Sequence, residues 1–218
     1  LRMQSEHLPD APSANVLAEL RGRETPEQIV LIGAHHDSWD VGGGAHDDGA
    51  GCVMVMEALR LLRKLGLRPR RTIRLVLFAN EENGVEGGKA YFAAHKHELA
   101  NHRWAYESDH GAFLPRGFLV VGPDGLRKHI ESLMPLFAPT DGTEVIKSTY
   151  AGVDIRPLVE AGVAGVGLTT EGDRYFEIIH SAADTLDKVN PQHLAKGVAA
   201  TALMAYLLAE HPDLAAAR

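Results

Sequence analysis

Cysteine is almost missing from this chain. Cys52 stands alone, so no disulfide can form within it. Its apolar neighbours on a predicted helix make it a core residue rather than a nucleophile. No apolar run reaches the roughly 20 residues of a membrane-spanning helix, which excludes such a helix and a membrane as partner. Basic residues gather only around Arg68–Arg74, and the formal net charge is −7. That balance argues against nucleic acid as a partner. Internal repeats and low-complexity stretches are lacking too. What is present is 218 residues, 45% hydrophobic and 23% charged, ordinary for one domain with a well-buried core. The first residue is Leu1 rather than Met, so the chain reads as a piece of a longer one.

The densest stretch runs from Ile32 to Gly51, IGAHHDSWDVGGGAHDDGAG, with three His and four Asp around a glycine-rich turn. An apolar strand before it delivers His35 and Asp37. Gly42, Gly43 and Gly44 forbid a helix at that point, and no Lys-Ser/Thr follows to make a phosphate loop. Asp47 and Asp48 open the next helix, where either could act as a cap. A plain polar loop is the competing reading. Carboxylates gathered among imidazoles without Lys or Arg repel one another or are costly to desolvate, a conflict that a divalent cation resolves.

Hydrophobic periodicity supplies the frame. Strands are predicted over 14–20 and 29–34, as an antiparallel hairpin, then over 70–79, 103–109, 118–121, 144–148 and 163–168. Helices are predicted over 48–65, 87–100, 126–137, 154–160 and 190–210, the last running into an Ala-rich tail that reads as a fraying end. His95 to Glu98 reads as a solvated face, and residues 170–185 as a long polar loop. The alternation predicts an α/β fold, a three-layer sandwich around a central mixed, mostly parallel sheet.

In that frame His35, Glu81/Glu82 and Asp109 each follow the carboxyl end of a different strand. Asp47 opens a helix and His180 lies in a late loop. Ligands of open α/β sheets gather at this edge. Two imidazoles and three carboxylates match a pair of zinc ions (Zn2+), with Asp47 bridging. His35 and Asp109 complete one position, Glu82 and His180 the other. Glu81 is left unligated beside them, where a general base belongs. Asp37, two residues past His35, is placed to hydrogen-bond a ligand imidazole. Asp184 is expected to orient His180 or its loop. His36 and His46 fall outside the set. Tyr150, Val153, Arg156 and Tyr175 are candidate pocket residues.

The segments HHDSWD, HDDGAG, NEENG, ESD and HSAADT, in this order, resemble the co-catalytic zinc aminopeptidase family. The resemblance runs from about Ala14 onward. It implies a phosphorylase/hydrolase-like zinc-peptidase fold, with 1–218 as a single catalytic domain. It implies two zinc ions on His35, Asp47, Glu82, Asp109 and His180, Glu81 as the base, and hydrolysis of dipeptides or other short peptides. Secretion or a periplasmic location and a homodimer are further implications of the resemblance. Alternatives are a non-catalytic binding or receptor domain on this fold, or a zinc glutaminyl cyclase-like enzyme. His36, His46 and Asn80 depart from the usual residues at the metal rim.

Overall fold

The structure, a computed structural model, describes residues 3, 4, 6, 8–172 and 174–211. The Ala-rich tail lies outside the described residues. Among them, seven strands form one sheet. They are β1 (Val16–Leu20), β2 (Thr25–His35), β3 (Arg71–Phe78), β4 (His102–Glu107), β5 (Pro115–Val121), β6 (Glu144–Lys147) and β7 (Ala164–Thr170). Their spatial order is β1-β3-β2-β4-β7-β5-β6. Neighbours run parallel except β1 with β3 and β5 with β7. The helices are α1 (Ala50–Lys64), α2 (Glu86–His95), α3 (Asp124–Leu133), α4 (Arg156–Glu160), α5 (Tyr175–Ile178) and α6 (Pro191–Glu210).

Alternation along the strands builds the three layers. Val30, Ile32 and Ala34 of β2 join α1, α3 and α6 in the larger core, while Leu31 joins α2 and α4 in the smaller one. The same split recurs in β4, where Trp104 and Tyr106 face the larger core and Ala105 the smaller. In α1 the buried stripe is Cys52, Met54, Val55, Ala58 and Leu62. Asn190 caps α6, its Oδ1 accepting from Gln192 N and His193 N at 2.8 and 3.2 Å, with Pro191 in the first turn.

The hairpin expectation is corrected: β1 and β2 do not pair. Both flank β3, β1 antiparallel and β2 parallel. The short link between them wraps the start of β3, held by Gly22 N–H to Thr72 Oγ1 at 3.1 Å and Arg23 N–H to Pro69 O at 2.9 Å. Helix 87–100 ends at His95 and continues as a 3-10 turn, Lys96–Asn101. His95 and Glu98 are half-buried rather than a plain solvated face, for Arg74 donates to Glu98 at 2.7 Å and His95 meets it at 2.6 Å. The long loop 170–185 contains α5.

In the sheet β3 and β4 lie on opposite sides of β2, and α1 and α2 cover opposite faces. The chain therefore leaves the tips of these three strands in diverging directions. The crevice so opened at their carboxyl ends is where the polar residues collect.

Candidate metal centre

His35 is the last residue of β2, and its imidazole is buried. Asp37, just beyond, ties two strand tips together. Its carboxylate accepts the N–H groups of Glu81 and Glu82 at 3.0 and 3.2 Å, and lies 3.5 Å from His35 Nδ1. Burial alone would raise the Asp37 pKa; His35 and the two N–H groups hold it down at about 2. Glu81 and Glu82 occupy the turn after β3, and Asp109 follows β4 by two residues. His180 comes two residues after α5, with φ at 54°.

The helix-start role that the sequence left open between Asp47 and Asp48 falls to Asp48. Asp48 is fully buried. Its carboxylate accepts His35 N–H at 3.2 Å and Gly51 N–H at 3.0 Å, so it fastens the tip of β2 to the start of α1. Asp47 instead lines the cleft. Its Oδ1 lies 3.1 Å from His35 Nε2, and His35 Nε2 lies 3.5 Å from Asp109 Oδ1. Its Oδ2 lies 3.1 Å from His180 Nε2, which is 2.9 Å from Glu82 Oε2. In each of the triads His35–Asp47–Asp109 and Asp47–Glu82–His180, the ligand atoms fall within 4.8 Å of one another. One aspartate serves both, each oxygen turned to a different triad.

These residues fit cations. Donors about 2.0–2.2 Å from a tetrahedral zinc stand roughly 3.4 Å apart, close to the spacings here. Glu82 Oε1 and Asp109 Oδ1 are buried without a hydrogen-bond partner. Among the described residues lining the cleft there is no Lys or Arg. The local field says the same. Burial lowers the His35 pKa, and the carboxylates of Asp109, Asp37 and Asp47 reverse that and raise it. Burial and Asp47 raise Glu82. A site that draws a proton to its imidazole is one where positive charge is wanted.

Glu81 belongs to neither triad, although its Oε2 is 4.0 Å from His35 Nε2. Burial pushes its pKa up to about 7; His35 opposes this, while Asp109, Glu82 and Asp47 add to it. A carboxyl tuned near neutrality can both take and return a proton. The cleft has a volume of about 430 Å³, and Trp39, His110, Tyr150, Tyr175, Phe176 and Ile179 complete its lining. Tyr150 and Tyr175 are thus pocket residues as expected, while Val153 and Arg156 are not.

Among the described residues Asp184 makes no hydrogen bond to His180; it holds the loop instead. Its buried carboxylate accepts His46 N–H at 2.7 Å and Asp47 N–H at 3.0 Å, and its carbonyl accepts Gly43 N–H at 2.9 Å. It clasps the glycine turn to the His180 loop. The closeness of the two backbones explains a glycine there: a Cβ on Gly42 would stand 2.5 Å from Ser181 O. Asp184→Ala would orphan two buried N–H groups, each worth about 1–3 kcal/mol. The expected result is a chemical-denaturation midpoint lowered accordingly, together with weaker zinc uptake.

His46 and His36 lie outside both triads. His46 is buried, accepts Ala112 N–H at 3.1 Å and stacks on Phe113. The Cys52 thiol donates to His35 O at 2.9 Å, and burial pushes it up to about 12, so it is no nucleophile. Three contributors escaped the sequence reading: Asp48 as a brace, Trp39 against His180, and Glu107. The buried Glu107 carboxylate accepts Val153 N–H at 2.7 Å and Ile155 N–H at 2.9 Å, anchoring the turn before α4 to β4. Only Asp48 carried a signal, as a helix-start carboxylate.

A three-layer α/β sandwich with two acid–imidazole triads joined at its sheet edge, and a free glutamate beside them, is the layout of a metallopeptidase domain. The family model described as Peptidase family M28 matches residues 15–205, and the chain belongs to that family. Carboxypeptidase Q from Bos taurus is 41% identical over 214 residues, which is 98% of this chain and 45% of that protein. The crystal structure of a Peptidase M28 precursor from Shewanella amazonensis SB2B matches with a TM-score of 0.87 at 40% identity, covering 91% of this chain and 45% of that one. A zinc aminopeptidase from Bacillus subtilis shares the fold, with a TM-score of 0.72 at 19% identity over 92% of this chain and 51% of that one. The chain spans about half the length of the curated relatives it matches.

Proposed function

We propose that this chain is the catalytic domain of a dinuclear zinc exopeptidase that hydrolyses dipeptides or other short peptides. The observation that carries the reading is Asp47, which turns one oxygen to each of two triads. His35, Asp47 and Asp109 would hold one zinc ion, and Asp47, Glu82 and His180 the other. Zinc bound there supplies Lewis acidity, acidifying water and polarising a peptide carbonyl. Glu81 takes the proton of the attacking water as oxygen bonds to the carbonyl carbon. It then delivers that proton to the amine nitrogen as the C–N bond breaks. Asp37 keeps His35 and the Glu81–Glu82 turn in register throughout, through the contacts described above. Tyr150, Tyr175 and Phe176 offer an aromatic wall for the substrate side chain.

No described helix is long and apolar enough to cross a membrane. Residues 1–218 are read as one domain, and a secreted or periplasmic location and a homodimer follow the family resemblance. The test is metal analysis beside a dipeptide panel. Zinc near two per chain, and chelator-sensitive release of free amino acid, are expected. A single tightly bound zinc with cyclisation of amino-terminal glutamine would replace this reading with a cyclase. Full zinc loading with no hydrolysis would make the domain a binding module.

A further inference from the structure

The two imidazoles of the centre are held in different ways. His35 is buried, and its Nδ1 faces Asp37, 3.1 Å from the carbonyl and 3.5 Å from the carboxylate. That is the usual arrangement for a metal-binding histidine, whose second nitrogen is fixed by a carboxylate or carbonyl. The His180 side chain is 47% exposed. Its Nε2 meets Asp47 and Glu82, but among the described residues its Nδ1 has no hydrogen-bond partner. What it has instead is an aromatic face. The Trp39 indole lies against the imidazole with ring centroids 4.7 Å apart and planes 16° apart. Trp39 stands on the turn between His35 and Asp47, and the Asp184 clasp joins that turn to the His180 loop.

We propose that Trp39 is a positioning residue that presets the His180 imidazole for Asp47 and Glu82, taking the part that Asp37 plays for His35. The stack fixes the plane of the ring, so the exposed His180 does not have to be ordered when a cation arrives. An indole face also attracts an imidazole more strongly as that ring gains positive charge, which favours the ligated form. The proposal rests on the two-cation reading of the site.

The test is zinc binding by equilibrium dialysis on the full chain, with tryptophan fluorescence followed in the same titration. Wild-type protein is expected to bind in two steps, with a fluorescence change at the step that His180→Ala removes. Trp39→Ala should weaken that step about 10–100-fold and leave the other unchanged. Trp39→Phe, which keeps a stacking face, should restore most of the affinity while losing the fluorescence change. Circular dichroism establishes that each variant is folded. Trp39→Ala binding both equivalents as tightly as wild type would overturn the proposal. So would equal weakening of both steps, or Trp39→Phe no better than Trp39→Ala. Wild-type protein taking up fewer than two zinc ions would instead overturn the two-cation reading itself.

Discussion

Glu81→Gln is expected to lower kcat on a dipeptide substrate by about 10²–10⁴-fold, the range for loss of a positioned general base, while zinc content stays at its wild-type level. The variant keeps the size and shape of the side chain but removes its negative charge and its capacity to take up and return a proton. Glu81 stands outside both triads, so the substitution takes no donor from either. The Asp37 bonds to the Glu81 and Glu82 N–H groups are made by backbone and survive it. Steady-state kinetics with parallel metal analysis checks both halves. Turnover near wild type would remove Glu81 from the mechanism. Loss of zinc along with activity would instead make it a structural part of the centre.

The second large effect is expected at Asp47. Asp109→Ala and His180→Ala each dismantle one triad, whereas Asp47→Ala dismantles both. The variant should retain no zinc after dialysis, where each of the other two retains one position. Stability gives an independent readout. A ligand at about 1,000 times its Kd stabilises the native state by about 4 kcal/mol, on the order of 10 °C in Tm for a domain of this size. That zinc-dependent shift should vanish in Asp47→Ala. Without zinc the variant should melt no lower than metal-free wild type, because it also removes one of several crowded carboxylates. A zinc-dependent shift that persists in Asp47→Ala would refute the bridging role.

The general architecture could be read from the sequence because it depends on local pattern. Continuous apolar runs marked β2 and β3, and the strand ends put His35, the Glu81–Glu82 pair and Asp109 at one edge. What escaped depends on contacts between distant segments. The hairpin assigned to β1 and β2 failed because proximity in sequence says nothing of a link that goes around a third strand. The sequence assigns Asp47 as the bridge but leaves open which of Asp47 and Asp48 braces the helix start; that separates only through Asp48 and its two buried N–H partners. Asp184 is expected from the sequence to orient His180 or its loop; it holds the loop, through partners 137 and 138 residues away that no local pattern reveals. The Trp39 stack on His180 joins two loops, and no periodicity signals it.

The close seam between Gly42 and Ser181 determines where the specificity of this domain can evolve. Diversifying position 42 would push a new side chain into Ser181 O and displace the arm that carries His180, so selection there would return broken centres rather than new preferences. Tyr150 and Phe176 also line the cleft, yet among the described residues their side chains make none of the hydrogen bonds that brace its ligand-bearing turns. Libraries at those two positions can vary the shape of the cleft while leaving its chemistry in place.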